Sequence, residues 1–383
     1  MVILTRIDVS NHPESDRHSE VVSCTDAVTG LQAIIAVHNI SLGPALGGCR
    51  IYPYATPDDA LTDVLRLSRG MTYKSALAGL PLGGGKAVII ADPKIPKTPE
   101  MMRSFGAAVQ KLAGRYITAE DVGTTEADMI AIHQATQYVS GLPPEIAPRP
   151  LVYGNPSPTT ACGVYHGIAA AAKELFGDAE DLHGLRVAIQ GLGAVGFALA
   201  EKLYQAGAQL VVADVNAAAV DAAMTRFAGR VRSCHVSDIH RQDVDIFAPC
   251  ALGAGLNAGT IPDIRARLIA GGANNQLAEA ADDRRLMDAG IAYAPDYVIN
   301  AAGVMRVAFE YFGRNLSVTM PGVLDEANLA ERVRGIGSTI RLILREAKRN
   351  GMPTGAMADH LARDIFLGHN GAAKNKESAA LAG

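Results

Sequence analysis

The chain has no tryptophan, and aromatic residues make up only 5% of its 383 positions. Its five cysteines (Cys24, Cys49, Cys162, Cys234 and Cys250) contain no Cys-x-x-Cys pair. An odd, scattered set argues against both a disulfide framework and a zinc site. The ten histidines show no His-Glu-x-x-His or similar ligand spacing, so no metal is expected. A basic excess is missing too: the formal charge of −4 provides no field for nucleic acid. No apolar run approaches the roughly 18 residues that a membrane span needs. The opening "MVILTRIDVSNHPESDRHSE" turns polar within a few residues, and no basic segment leads into a sustained apolar one. No signal peptide is read there, and the expected location is the cytoplasm.

What the chain does have is glycine, 39 residues of it, in a sequence 49% hydrophobic and 19% charged. That balance suits a globular Ala/Gly-rich α/β enzyme, and the length suits two domains with a core each. "LQAIIAVHNI" has a strand pattern and is followed by a Gly/Pro turn, "SLGPALGGCRIYPY". "TPDDALTDVLRLSRGMTYKSALAGL" places Leu61, Val64, Leu65, Leu67 and Met71 at helical spacing behind a Thr-Pro-Asp-Asp start. A Gly-rich turn then leads into "AVII", a short buried strand. The pattern next predicts a helix over Pro99–Leu112, a strand over Tyr116–Ala119 and a helix from about Thr125, which with Asp128 resembles a capping box. Prolines and glycines cluster between Gly141 and Pro158 and mark the domain boundary.

Beyond that boundary stands "LRVAIQGLGAVGFALAEKLYQAGAQLVVADVN". An apolar strand runs into Gly191, Gly193 and Gly196 at G-x-G-x-x-G spacing, an Ala/Leu helix follows, and a second strand ends at Asp214. The glycines alone are a weak signal. Strand, glycines, helix, strand and terminal acid together make a dinucleotide-binding unit. Gly191 permits the tight turn, Gly193 lets the backbone approach the pyrophosphate, and Gly196 lets helix and sheet pack closely. The helix N-terminus, with Ala194 and Val195, offers N–H groups to the anion. Asp214 can accept from both ribose hydroxyls and repels a 2′-phosphate, so NAD is expected rather than NADP.

In "LPLGGGKAVII" a single lysine, Lys86, follows three glycines. A nucleotide-hydrolysing loop would need glycine where Leu80 stands and a hydroxyl where Ala87 stands. With the nucleotide assigned elsewhere, Lys86 is available to a substrate. Lys74 lies twelve residues earlier and Asp121 follows in "YITAEDVGTT". Paired lysines in a closed, desolvated site can make one of them a general base, and a carboxylate is the natural proton partner. On spacing alone, Lys74 can equally complement a helix C-terminus and Asp121 can be a turn or cap residue.

These residues resemble the Glu/Leu/Phe/Val family of amino-acid dehydrogenases, closest to its leucine/valine branch. The likeness runs through "LGPALGGCRIYPY", "GMTYKSALAGLPLGGGKAVIIADPK", "TAEDVGTT", "GNPSPTTACGVYHG", "QGLGAVG", "DIFAPCALG", "IAGGANNQL" and "YAPDYVINAAGV". It implies two α/β domains separated by a cleft. An N-terminal substrate-binding, catalytic and oligomerisation domain would span residues 1–150 and a Rossmann NAD-binding domain 151–330. C-terminal helices crossing back, with a frayed tail, would fill 331–383. It also implies a homo-oligomer that partners only small molecules: an L-amino acid, its 2-oxo acid and ammonium.

By the same resemblance Lys74 binds the substrate carboxylate, with Gly47 beside the substrate. Lys86 activates the water that attacks the imine, and Asp121 shuttles protons. Cys250 and Ala251 pass the nicotinamide, and Asn300 lies near it. One of Asn274 and Asn275 helps at the carboxylate and nicotinamide; the provisional division gives Asn275 to substrate and Asn274 to cofactor. The side-chain pocket maps onto Leu46, Ala119, Val304 and Val307, which can equally be ordinary core. Glutamate enzymes commonly carry a lysine at the position of Leu46, and aromatic-preferring relatives tend to carry glycine at that of Leu46 or Ala119. A branched aliphatic substrate, leucine or valine, is therefore expected, with an aromatic or unusual amino acid as the alternative and a non-catalytic NAD-binding protein as a more remote one. Ala254 and Ala302 stand where the family usually has glycine. Arg306 and "VAFEYFGRN" depart from its pattern as well, and an added methyl and larger groups there are expected to reshape the pocket.

Overall fold

The computed structural model describes residues 1–92, 97–146, 152, 154–177, 182–251, 253–314, 320 and 322–368. The tail from His369, read above as frayed, lies outside the described residues. The chain divides into two compact units. The first comprises Met1–Gly154, Val307–Glu326 and Ala362–Gly383, and the second Asn155–Arg306 and Ala327–Leu361.

The first unit holds β1 (Ile3–Arg6), β2 (Glu20–Asp26), β3 (Leu31–Asn39), β4 (Ala45–Tyr52), α1 (Pro57–Leu77), β5 (Gly83–Ile90), α2 (Pro99–Lys111), β6 (Tyr116–Glu120) and α3 (Glu126–His133). Its sheet has the order β1-β2-β3-β5-β4-β6. β1, β2, β3 and β5 pair antiparallel, whereas β4 runs parallel to β5 and β6. One face packs Ile34, Ala36 and Val88 on Ala60, Val64 and Leu65 of α1. The other packs Ile35, Cys49, Ile51, Ala87 and Tyr116 on Phe105 and Val109 of α2 and Met129 and Ile132 of α3. Side-chain alternation along each strand feeds these two cores in turn. Thr56 and Asp59 exchange hydrogen bonds at the start of α1, at 3.0 and 3.1 Å. Thr125 donates its N–H and hydroxyl to Asp128 at 2.8 and 2.9 Å at the start of α3.

Two stretches expected to be turns are strands: the Gly/Pro stretch after β3 contains β4, and Gly83–Gly85 begin β5. Glycine usually punctuates strands, but here its lack of a side chain lets other elements close on the strand. A Cβ at Gly83 would lie 1.9 Å from the Asn39 carbonyl oxygen, one at Gly84 2.1 Å from the Thr72 nitrogen, and one at Gly85 2.7 Å from the Tyr116 ring. Strand β3, helix α1 and strand β6 thus each claim one glycine of the three.

The second unit holds α4 (Ser157–Phe176), β7 (Arg186–Gln190), α5 (Ala194–Gln205), β8 (Gln209–Ala213), α6 (Ala217–Arg226), β9 (Val231–Ser233), β10 (Ile246–Pro249), β11 (Leu268–Ile269), α7 (Ala281–Asp288), β12 (Ala292–Tyr293) and α8 (Asp296–Ile299). Its sheet is wholly parallel in the order β12-β11-β10-β7-β8-β9. β7 is the point from which the order runs both ways, the usual place for a dinucleotide in such sheets. Three helices follow: α9 (Ala302–Arg314), α10 (Glu326–Asn350) and α11 (Thr354–Phe366). The division between units falls within α9, after Arg306, and within α11, after Leu361. Among the described residues, no helix is long and apolar enough to cross a membrane.

Candidate active site

Strand register brings the first unit's residues together. Leu46 pairs with Gly84 and Ile117, Gly48 with Ala119, and Ala36 with Lys86. Because alternate residues share a face, Leu46, Gly48 and Arg50 of β4 stand on the same side as Lys86 of β5 and Ala119 of β6. Asp121 follows directly at the end of β6. Gly48 leaves room for it, since a Cβ there would lie 2.8 Å from the Asp121 Cβ.

Lys86 is 6% exposed, and its Nζ lies 2.7 Å from Asp121 Oδ2. The same oxygen accepts from Arg50 Nε at 3.2 Å. Burial pushes the Asp121 carboxyl up, but the Lys86 and Arg50 cations outweigh it and hold it down to about 2. Asp121 is therefore anionic at neutral pH. Lys74 sits in the last turn of α1, whose carbonyl at that residue accepts from Ala78 at 3.0 Å. Leu46 and Ala119 are buried, at 2% and 6% exposure. The Gly47 carbonyl accepts from the buried Tyr116 hydroxyl at 2.7 Å, and a Cβ at Gly47 would lie 1.7 Å from the Gly85 oxygen. Val307, in the part of α9 that belongs to this unit, is half-buried, and its carbonyl accepts from Ser140 Oγ at 3.2 Å.

In the second unit the glycine loop connects β7 to α5. Gly191 has φ +96° and abuts Ala251, whose Cβ would lie 2.9 Å from a Cβ added there. A Cβ on Gly196 would meet the Gly191 oxygen at 2.0 Å, whereas at Gly193, the N-cap of α5, it would meet nothing within 4 Å. Two glycines are thus demanded by protein contacts and the third by none, which leaves open space before the helix N-terminus. Val195 packs on Gly272, where a Cβ would lie 2.8 Å from its Cγ1. Asp214 Oδ2 accepts from Leu192 N–H at 2.5 Å and Oδ1 from Asn216 N–H at 2.7 Å, fixing the carboxylate at the end of β8.

Asn300 donates to Asn274 Oδ1 at 2.7 Å, while its own buried Oδ1 has no hydrogen-bond partner. Asn275 has φ +51°, and its carbonyl accepts from Ala254 N–H at 2.7 Å. Asn274 is therefore the member of the pair whose side chain joins Asn300. Burial pushes the Cys250 thiol up to about 11, against the Gly272 N–H that it accepts at 3.4 Å, so it stays protonated. An open helix N-terminus suits a pyrophosphate, and an orphaned buried acceptor suits a carboxamide N–H. The residues fit a nicotinamide dinucleotide.

Sequence reasoning did not single out Arg50 or Gly48. The alternation from Leu46 is the signal that would have found Arg50. Ala302, expected to reshape a pocket, is fully buried, and its methyl lies 2.7 Å from where a Cβ on Gly163 of α4 would be. It packs on a helix that glycine has hollowed. Arg306 Nε donates to Thr159 at 2.6 Å. Val304 is half-buried in the second unit's part of α9. Ala254 has φ +59°, the left-handed region that accounts for the family's usual glycine.

Comparison with known proteins bears on this geometry. Residues 17–138 match the family model described as Glu/Leu/Phe/Val dehydrogenase, dimerisation domain. Residues 156–223 and 214–361 match that of Glutamate/Leucine/Phenylalanine/Valine dehydrogenase. The chain is 46% identical to a leucine dehydrogenase of Bacillus subtilis (strain 168), over 94% of each chain. It is 42% identical to a valine dehydrogenase of Streptomyces virginiae, over 92% of this chain and 94% of that one. Among solved structures, L-tryptophan dehydrogenase from Nostoc punctiforme is 40% identical with a TM-score of 0.78, covering 92% of this chain and 96% of that one.

Proposed function

We propose, since the chain belongs to the Glu/Leu/Phe/Val dehydrogenase family and is an amino-acid dehydrogenase, that it catalyses the reversible NAD-dependent oxidative deamination of branched-chain aliphatic L-amino acids, leucine and valine. The observation that carries this reading is the ion pair of buried Lys86 with half-buried Asp121, 2.7 Å apart, with Lys86 on the same sheet face as the apolar Leu46 and Ala119. The nearness in sequence to leucine and valine dehydrogenases supports the substrate class.

A bound nicotinamide would supply the acceptor for the hydride that leaves the amino acid's Cα. Lys74 holds the substrate carboxylate. Asp121 accepts a proton from the amino group, so that the carbon–nitrogen bond can become an iminium. Lys86, once it has given up the proton it holds in the resting ion pair, takes a proton from the water that adds to that carbon; Asp121 returns one to the departing nitrogen, which takes the carbinolamine's hydroxyl proton as well and leaves as ammonium. The sum is amino acid, NAD⁺ and water giving 2-oxo acid, ammonium, NADH and a proton. Positioning, exclusion of water and proton transfer are the protein's share. Gly191, Gly193 and Gly196 with the N-terminus of α5 would hold the pyrophosphate, Asp214 the ribose hydroxyls, and Asn274 and Asn300 the carboxamide end. Asp214, already fixed by two N–H groups, favours NAD because a 2′-phosphate would meet its charge.

Leu46 carries no cation, so a glutamate side chain beside it would be buried unpaired at a cost of several kcal/mol. Val304 and Val307 are assigned to the pocket by the family resemblance alone. Homo-oligomerisation through the first unit and a cytoplasmic location complete the reading, the former supported by the matching dimerisation-domain model.

A second reading, an aromatic substrate, is favoured by the likeness to L-tryptophan dehydrogenase. NADH absorbance separates the two. A panel of L-amino acids with NAD at alkaline pH, and of 2-oxo acids with ammonium and NADH, should show leucine and valine well ahead of phenylalanine, tryptophan and glutamate. Preference for an aromatic acid would overturn the aliphatic assignment, and no turnover with any would overturn the reaction.

A further inference from the structure

The Lys86–Asp121 pair is held by a third charge. Arg50 of β4 reaches Asp121 Oδ2 through Nε at 3.2 Å and Asp63 Oδ2 of α1 through Nη1 at 3.0 Å. The Tyr54 hydroxyl donates to that same Asp63 oxygen at 2.5 Å. Asp63 precedes Lys74 by eleven residues, three helical turns, so both lie on one face of α1. Arg50 therefore ties the end of β6, the strand β4 and the helix that carries Lys74 to one guanidinium. The nearest approach of each cation is to Oδ2 of Asp121.

We infer that Arg50, anchored by Asp63 and Tyr54, is a positioning residue that grips Asp121 by Oδ2 and holds its carboxylate in place beside Lys86. The inference rests on the proton-shuttling role proposed for Asp121. A guanidinium suits the task because its Nε and Nη1 donors diverge in a fixed plane, which a lysine cannot reproduce. Arg50 is about three-quarters buried, with 22% of its side chain exposed, so its hold on Asp121 is partly shielded from solvent. Lys86, Arg50, the Cys49 thiol and the Tyr116 hydroxyl are titratable groups that interact with Asp121, with Asp63 acting through Arg50.

The test combines titration of the Asp121 carboxyl carbon by NMR with kinetics in full-length Arg50→Met, Arg50→Lys and Asp63→Asn proteins. In Arg50→Met, Asp121 should titrate about one unit or more above wild type, as expected for loss of an adjacent arginine. Asp63→Asn should move it part of the way, and it serves should Arg50→Met fail to fold. Turnover in Arg50→Met should fall roughly ten- to a hundredfold with the amino-acid KM within about threefold, the signature of a misplaced group. Arg50→Lys should restore much of the titration and little of the turnover. An Asp121 titration unmoved in a folded variant would overturn the inference. So would turnover lost by one factor at every pH with a matching loss of thermal stability, which is what a strut of the fold would give. The titration needs no substrate, so it decides the matter even if the amino-acid panel overturns the proposed reaction.

Discussion

At the scale of single residues, one position carries backbone strain. Ala254 is exposed and left-handed, a conformation that costs an L-residue about 1–2 kcal/mol, and its N–H holds the loop of Asn275. Ala254→Gly should raise thermal stability by the equivalent of up to about 1 kcal/mol, after the greater freedom of glycine in the unfolded chain is set against the relief. A lowered melting temperature would show that the methyl has a contact that offsets the backbone strain. Leu46 and Ala119 concern selectivity instead. Leu46→Gly with Ala119→Gly should lower kcat/KM for leucine, by about 1–3 kcal/mol of transition-state binding for each lost aliphatic contact, and raise it for phenylalanine. If the ratio of the two substrates stays put, these side chains are core and nothing more.

Lys74, Lys86 and Asp121 are singled out by their motifs, and the structure brings the last two to 2.7 Å of one another. Arg50 is not, because an arginine in a stretch read as a turn has no assigned face. Only with β4 recognised as a strand does its alternation with Leu46 and Gly48 become a statement about chemistry. Asn274 and Asn275 could not be told apart for a related reason. Their difference lies in one backbone dihedral, which adjacent identical residues do not advertise.

At the scale of elements, Gly84 explains why helix α1 can lie closely against β5. A Cβ on Gly84 would stand 2.1 Å from the Thr72 nitrogen, 2.3 Å from its hydroxyl and 2.5 Å from the Ser68 carbonyl oxygen, all on α1. Backbone cannot rotate away as a side chain can, so Gly84→Ala must displace the helix, at about 1–3 kcal/mol or more. Because Thr72 is two residues from Lys74, the displacement should also raise the amino-acid KM. Gly70→Ala on the same helix is the control: nothing lies within 4 Å of its added Cβ, and it should be neutral or stabilising by about 0.5–1 kcal/mol. Thermal unfolding and KM measured on both variants check this, and equal behaviour would contradict it. The helices α1, α2 and α3 were readable from caps and periodicity. The glycine-bearing strands were not, since the residues that usually end a strand here serve close packing within one.

At the scale of the whole molecule, acid sensitivity should come from the first unit in two windows. His38 is 3% exposed and bonded to Thr72 at 2.8 Å. Burial, and then the neighbouring His18, push it down to about 4 against the pull of Asp16. Its folded value lies below the unfolded one, so its contribution is present above about pH 6.5 and is lost as pH falls toward 4. Asp121, depressed to about 2, adds a contribution present above about pH 4 and lost as pH falls through 2. Melting temperature should therefore decline between pH 6.5 and 4, and His38→Gln should flatten that decline. An unchanged slope in the variant would assign the acid loss elsewhere.

The claim on which the rest depends is that Lys86 performs proton transfer on an amino acid while the other unit holds NAD. Its most direct test is to measure, on one preparation of Lys86→Ala, both turnover of leucine and the dissociation constant for NADH by fluorescence. The account predicts a loss of kcat of about 10²- to 10⁴-fold, the usual share of a general base, with NADH affinity within about twofold of wild type. A variant keeping more than about a tenth of wild-type kcat, or one losing turnover only in proportion to a lost affinity for NADH, would contradict it.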